Sequence, residues 1–251
     1  MRRAVTATAG VAGLAVAGIG GAAYWLAMSS YSQILGPFAY RADDHERPRV
    51  ALTFDDGPNE PFTGKLADFL DAEGIRATFF QVGRAVRAFP EVSLRLAEAG
   101  HVIGNHSDTH TFGRYLHAAT LRAEIERSQQ TFQDIGIRPA LYRPPWLLRI
   151  PALFPLLREY GLTPISGVFA HPLEFAQPSP RLTVHGLVGN GALGHGKPGM
   201  IIIFHDGFEG HAGDRANSVE AAKMTVAQLR RRGVEFTTVD RLLGIPAYQT
   251  T

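Results

Sequence analysis

Cysteine is absent from the 251-residue chain. A disulfide, a thiolate metal site and a cysteine nucleophile are therefore all excluded, and any metal must be held by His, Asp or Glu. The absence leaves the redox compartment open. Lysine is nearly missing as well: Lys65, Lys197 and Lys223 are the whole set, and the remaining positive charge is scattered arginine. With a formal net charge of +2 and no basic run interleaved with aromatics, nucleic acid is not an expected partner. No internal repeat is visible. The content of 45% hydrophobic, 10% aromatic and 19% charged residues is that of a globular chain. Its length suits one domain with a substantial core, or at most two small ones.

Charge of either sign is also missing between Arg3 and Arg41. The stretch from Ala4 to Met28 is mostly Ala, Gly and Val, with Leu14, Ile19, Trp25 and Leu26. At about 1.5 Å per residue it is long enough to cross a hydrocarbon core of about 30 Å. Residues 1–28 therefore read as a signal anchor, or as a signal peptide cleaved near Ala27-Met28-Ser29. The run exceeds a usual signal h-region, which favours the anchor. Either reading keeps Arg2 and Arg3 inside and sets the rest of the chain outside the cytoplasm, membrane-anchored or secreted. Residues 29–47 read as a linker and 48–251 as the folded domain. Oligomeric state is not legible.

From Arg49 onward strand-like and helix-like pieces alternate. Strands are expected over 49–54, 77–82, 101–104, 140–142, 163–169, 200–204 and 234–239. Helices are expected over 63–72, 90–99, 120–135, 151–160 and 217–232, the last capped by Asn217 with Glu220 three residues on. About seven strands alternating with helices is the pattern of an α/β domain with a parallel sheet, open or closed into a barrel. The stretch 171–198 is rich in Pro and Gly, has no period, and reads as a long loop.

Functional side chains of such a domain belong at the carboxyl ends of its strands. The first strand ends in Asp55-Asp56-Gly57-Pro58. Two adjacent carboxylates are costly there unless something neutralises one of them. The third runs into His106 and His110, four apart, which on a helical turn share one face and can reach one metal. The fourth runs into Arg143-Pro144-Pro145-Trp146, where a stiffened Arg can pair with a carboxylate. The apolar strand 200–204 ends in His205-Asp206-Gly207. Each feature alone also fits a structural role: a capped loop, two of ten scattered histidines, a surface turn, a satisfied core histidine.

Together these segments resemble the polysaccharide deacetylase family, the NodB-homology group of carbohydrate esterase family 4. Its T-F-D-D-G motif matches Thr53-Phe54-Asp55-Asp56-Gly57, and H-[ST]-x-x-H matches His106-Ser107-Asp108-Thr109-His110. R-P-P matches Arg143-Pro144-Pro145, and the apolar strand ending in His matches Ile203-Phe204-His205. The likeness spans residues 49–245 and includes Ala77-Thr78-Phe79-Phe80 and Gly100-His101. It implies a distorted (β/α) barrel and a hydrolase that removes acetyl groups from an N-acetylated, GlcNAc-type polysaccharide or oligosaccharide. Asp56, His106 and His110 would hold a divalent metal, zinc by default for such a set. Asp55 would be the base toward metal-activated water, and Arg143 would hold Asp55. His205 would protonate the leaving amine, Ser107 would brace its loop, and the Trp146 backbone N–H would stabilise the oxyanion. The chemistry agrees: a metal lowers the pKa of water from about 15.7 toward about 7, and a His near pKa ~6.5 suits an amine leaving group.

The match departs from the family at its fourth motif. An Asp-Trp pair is missing from 167–175, where Glu174-Phe175 is the nearest stand-in, and Leu147 follows Trp146 where the family often has Gly. Two other readings are another C–N hydrolase of the superfamily and a non-catalytic carbohydrate-binding relative. Retention of both Asp55 and His205 argues against the latter.

Overall fold

The computed structural model describes residues 21–43, 48–170, 176, 179–189 and 198–250. Among these, eight short strands form one sheet: β1 (Arg49–Asp55), β2 (Thr78–Gln81), β3 (Val102–Asn105), β4 (Leu141–Tyr142), β5 (Thr163–Pro164), β6 (Val168–Phe169), β7 (Met200–His205) and β8 (Glu235–Thr237). Every pairing between them is parallel. The order is β5-β4-β3-β2-β1-β7-β6, with β8 also pairing β1. The two ends of this sheet, β5 and β6, are consecutive in the chain, so the sheet curls until its edges face each other across a gap. The result is an incomplete (β/α) barrel.

The single strand expected over 163–169 is thereby corrected. Its two halves serve opposite edges: the Ile165 N–H donates to Tyr142 O, while the Ala170 N–H donates to Ile203 O. Helices α1 (Phe62–Ala72), α2 (Gly83–Ala88), α3 (Pro90–Glu98), α4 (Ala118–Asp134), α5 (Leu153–Glu159), α6 (Pro180–Gly189), α7 (Ala216–Arg231) and α8 (Val239–Leu243) surround the sheet. Helix α6 lies inside the stretch read as loop, begun by Pro180 at a position where its missing N–H costs nothing. Asn217 is not the cap of α7. The helix begins one residue earlier, and Asp214 Oδ1 accepts the Ala216 N–H at 2.8 Å.

Period two along the central strands decides which side chains reach the site. In β1, Val50, Leu52 and Phe54 face outward onto Leu66 and Leu70 of α1 and Val226 and Leu229 of α7. Ala51 faces inward with Phe80, Leu141, Ile165 and Ile201. In β7, Met200, Ile202 and Phe204 face outward, and Ile201 and Ile203 inward. The same alternation carries Asp55 and His205, which are register partners, to the inner side of the carboxyl rim. Phe54 stacks on Phe79 at 5.2 Å and on Phe204 at 5.8 Å, tying three neighbouring strands together.

Residues 29–43 are not a free linker. Arg149, fully buried, donates its backbone N–H to Ala27 O at 2.8 Å and its guanidinium to Ser32 O at 2.5 Å and Ser29 O at 2.6 Å. Its guanidinium lies 4.7 Å from the centre of the buried Phe38 ring. Beyond that clasp the chain enters the gap between the sheet edges. Ala39 bridges Ile165, Arg41 bridges Met200, and the Ser166 N–H donates to Ala39 O. A buried guanidinium needs every donor matched, and here the matching carbonyls come from the N-terminal segment. Residues 21–28 are helical. The anchor or signal reading rests mainly on residues 1–20, which lie outside the described residues. No helix among those described is long and apolar enough to cross a membrane.

His101 shows why Gly100-His101 belongs to the fold. Its buried imidazole accepts the Ala77 N–H on Nδ1 at 3.1 Å. Burial pushes its pKa down to about 4, against the pull of Asp71 at 3.5 Å. An unfolded histidine takes its proton near pH ~6.5. Between there and about pH 4 the unfolded chain therefore binds the extra proton, and stability falls as pH falls, by up to about 1.4 kcal/mol per unit. Urea unfolding across that window should show a shallower loss for His101→Asn than for wild type. Parallel curves would assign the acid sensitivity elsewhere.

Candidate active site

A cavity of about 410 Å³ opens at the carboxyl rim, between the segments that follow β1, β3, β4 and β7. The first of these is the tightest. Asp56 has φ +77°, a left-handed turn that parts the two adjacent carboxylates. The turn is pinned from β2, where Phe80 O accepts the Asp56 N–H, and from beyond β7, where the Asp206 and Gly207 N–H groups donate to Asp55 O. The contact excludes side chains: a Cβ on Gly207 would lie 2.2 Å from Asp56 O, and one on Gly57 2.3 Å from Asp206 Oδ2.

Asp55 meets Arg143. Its Oδ1 accepts from Arg143 Nη1 at 2.6 Å, and both residues are buried. The guanidinium also donates to Thr53 Oγ1 at 2.7 Å and Ser166 O at 2.8 Å, and lies 4.1 Å from the Phe80 ring centre. This one side chain links β1, β2 and β4 to the segment joining β5 and β6.

Asp56 meets the two histidines. Its Oδ1 is 3.3 Å from the Nε2 atoms of both His106 and His110. One donor atom from each residue lies within 4.8 Å of the others, and all three residues are buried. The segment 106–110 is not the helical turn expected from the spacing. It is a loop with left-handed Ser107 (φ +71°) and His110 (φ +52°), which bring the ring centres to 5.1 Å. Ser107 Oγ accepts the His110 N–H at 3.1 Å, and the Ser107 N–H donates to Asn105 Oδ1 at 2.8 Å. Buried Glu124 anchors the loop through the Thr109 N–H at 2.7 Å. His106 Nδ1 is 2.6 Å from Arg143 O. A carbonyl only accepts, so Nδ1 carries the proton and Nε2 presents its lone pair toward Asp56.

The donor set fits a divalent ion. Asp56 Oδ1 is buried with no hydrogen-bond partner, while Oδ2 accepts the Glu209 N–H at 2.9 Å. Burial works against the Asp56 charge, but His110, His106 and His205 together hold its carboxyl well below the usual range. Burial pushes His110 down to about 4, against the attraction of Asp56. A carboxylate beside an imidazole that stays neutral at pH 7 is ready to ligate without losing a proton. Three protein ligands leave positions for water and substrate, as in catalytic zinc sites.

His205 and Trp146 complete the rim. The Phe169 ring is nearly parallel to His205, 11° apart with centres at 6.2 Å. Trp146 has φ +55° and packs on His110, ring centres 4.3 Å apart, and on Phe112 at 5.2 Å. The Glu174-Phe175 stand-in for the Asp-Trp motif lies outside the described residues.

Several site residues escaped the sequence reading. Asp206 follows His205 directly. Its Oδ2 accepts from Thr63 Oγ1 at 2.5 Å, its backbone carbonyl accepts from Asn59, and burial pushes its carboxyl up to about 7. Its place in His-Asp-Gly was the available signal. Phe208, Glu209 and Arg215 also line the cavity. They lie in a loop without a motif, and no sequence signal marks them.

Comparisons with known proteins agree with this geometry. The polysaccharide deacetylase family model matches residues 42–165, a span that holds Asp55, Asp56, His106, His110, Arg143 and Trp146 and stops short of His205. A peptidoglycan-N-acetylglucosamine deacetylase of Bacillus cereus is 31% identical over 195 residues, covering 77% of this chain and 87% of that protein. A chitooligosaccharide deacetylase of Azorhizobium caulinodans is 28% identical over 193 residues, 73% of this chain and 89% of that one. Among solved structures, a peptidoglycan N-acetylglucosamine deacetylase in complex with a naphthalenyl benzamide superposes with a TM-score of 0.75 at 26% identity. That match covers 84% of this chain and 95% of the other. By motif, by topology and by these relatives, the chain belongs to the polysaccharide deacetylase family and is a deacetylase of acetylated glycans.

Proposed function

We propose that the enzyme removes the acetyl group from N-acetylglucosamine units of a peptidoglycan- or chitin-type glycan, with a divalent metal, zinc by default, held by Asp56, His106 and His110. The observation that carries the reading is the buried, unpartnered Asp56 Oδ1 at 3.3 Å from two imidazole Nε2 atoms. The names of the relatives support the substrate class. When bound, such an ion supplies Lewis-acid polarisation and lowers the pKa of water.

The chain supplies the rest. Asp55 takes the proton of the attacking water on the carboxylate oxygen that Arg143 does not engage. Arg143 holds that carboxylate in place. As the carbon–nitrogen bond breaks, His205 gives its proton to the departing amine. The Trp146 backbone N–H donates to the acetyl oxygen as charge develops there. Trp146, Leu147 and Phe208 form the apolar wall that receives the acetyl methyl. The apolar N-terminal run favours a catalytic domain outside the cytoplasm, where such polymers lie. Exposed Tyr24 and Trp25 near the end of that run and Tyr31 just after it agree with a membrane interface.

Acetate release by the full-length chain from N-acetylglucosamine oligomers and from peptidoglycan tests this. A chelator should abolish release, and zinc should restore it. Release that ignores the chelator refutes the metal, and zinc binding without release on any glycan refutes the enzyme.

A further inference from the structure

The loop after β7 makes a two-residue hairpin. The Phe208 N–H donates to His211 O and the His211 N–H to Phe208 O, with Glu209 and Gly210 at the tip. Both tip residues are left-handed, with φ +48° and +73°. Gly suits such a position, and Asn or Asp tolerates it; glutamate does not favour it. Gly210 is further fixed by contact, since a Cβ there would lie 2.6 Å from Val82 Cγ1. Arg84 donates to the Glu209 carbonyl and holds the tip against the barrel rim.

A disfavoured residue kept at a strained position points to a use for its side chain. Glu209 touches two of the three residues of the metal set. Its N–H donates to Asp56 Oδ2 at 2.9 Å, which leaves Oδ1 as the free ligand atom. Its Oε1 is 3.9 Å from His110 Nδ1. That nitrogen is buried and has no hydrogen-bond partner. An imidazole that ligates through Nε2 carries its proton on Nδ1, and the proton needs an acceptor to fix the ring. His106 has such an acceptor in Arg143 O. For His110, the half-exposed Glu209 carboxylate is in reach through a small rotation of its side chain.

We infer that Glu209 is a positioning residue for the metal site: its carboxylate orients His110 while its backbone N–H orients Asp56. The inference rests on the metal-site reading above and goes beyond it to a residue outside every recognised motif.

The test is zinc affinity of the metal-stripped, full-length chain, measured by competition with a chromophoric chelator, beside the thermal midpoint of the metal-free protein. Glu209→Asn keeps the backbone N–H and suits the left-handed turn better. Glu209→Gln keeps the size and removes the charge. Both should bind zinc about 10–100-fold more weakly. The metal-free midpoint of Glu209→Asn should stay level or rise, so that affinity and stability move apart, as no merely structural role would make them. Zinc affinity of Glu209→Asn within threefold of wild type overturns the inference and leaves the site standing. A wild-type chain that binds no zinc overturns the site itself and Glu209's part in it.

Discussion

An Asp55→Asn enzyme should release acetate about 10²–10⁴-fold more slowly than wild type, the range expected when a general base is removed. Asparagine keeps the shape and still accepts from Arg143, so the loss should fall on kcat rather than on folding. Arg143 also retains Thr53 Oγ1 and Ser166 O as acceptors. Zinc content should not change, because Asp55 faces the guanidinium and Asp56 faces the histidines. Steady-state rates, bound metal and thermal midpoint together separate these effects. A variant within tenfold of wild type would remove Asp55 from the proton transfer.

Arg143→Met should give the largest loss of stability. It leaves the buried Asp55 carboxylate without its partner, a change that typically costs about 3–5 kcal/mol. It also removes the side-chain bond from β4 to Ser166 O, in the segment joining β5 and β6. Urea unfolding measures the change. Arg143→Lys should recover little, since one ammonium cannot reproduce the fork that reaches Asp55, Thr53 and Ser166. Adding Asp55→Leu to Arg143→Met should restore part of the stability and none of the activity. If the single variant loses less than about 1 kcal/mol, the pair is better hydrated than its burial indicates.

What could be read in the sequence follows from range. The alternation in β1 and β7 is a local pattern, and it places Asp55 and His205 at one rim without any tertiary knowledge. The spacing of His106 and His110 gave the correct pairing through the wrong backbone. The rings meet across left-handed residues, which a four-residue spacing does not reveal. The break between β5 and β6 was hidden because both halves are short and uncharged, and only the closing sheet assigns them to different edges. Glu209, Asp206 and Thr63 meet the site through contacts about 140–160 positions apart in the chain. Of these, only Asp206 left a local trace, in the run His205-Asp206-Gly207 at the end of an apolar strand.

If the N-terminal run anchors the chain, as proposed above, the docking of residues 27–42 sets how far the enzyme would work from that anchor. A free strand from 29 to 47 would extend roughly 60 Å and let the barrel sweep a wide volume. Here Arg149 and the seam take up that slack, so whatever holds residue 21 holds the barrel directly. The reach of the active site is then set by the radius of the domain, and its orientation by the helical residues 21–28. An enzyme anchored in this way would edit polymer strands that pass close to its base, and the strands would have to come to it.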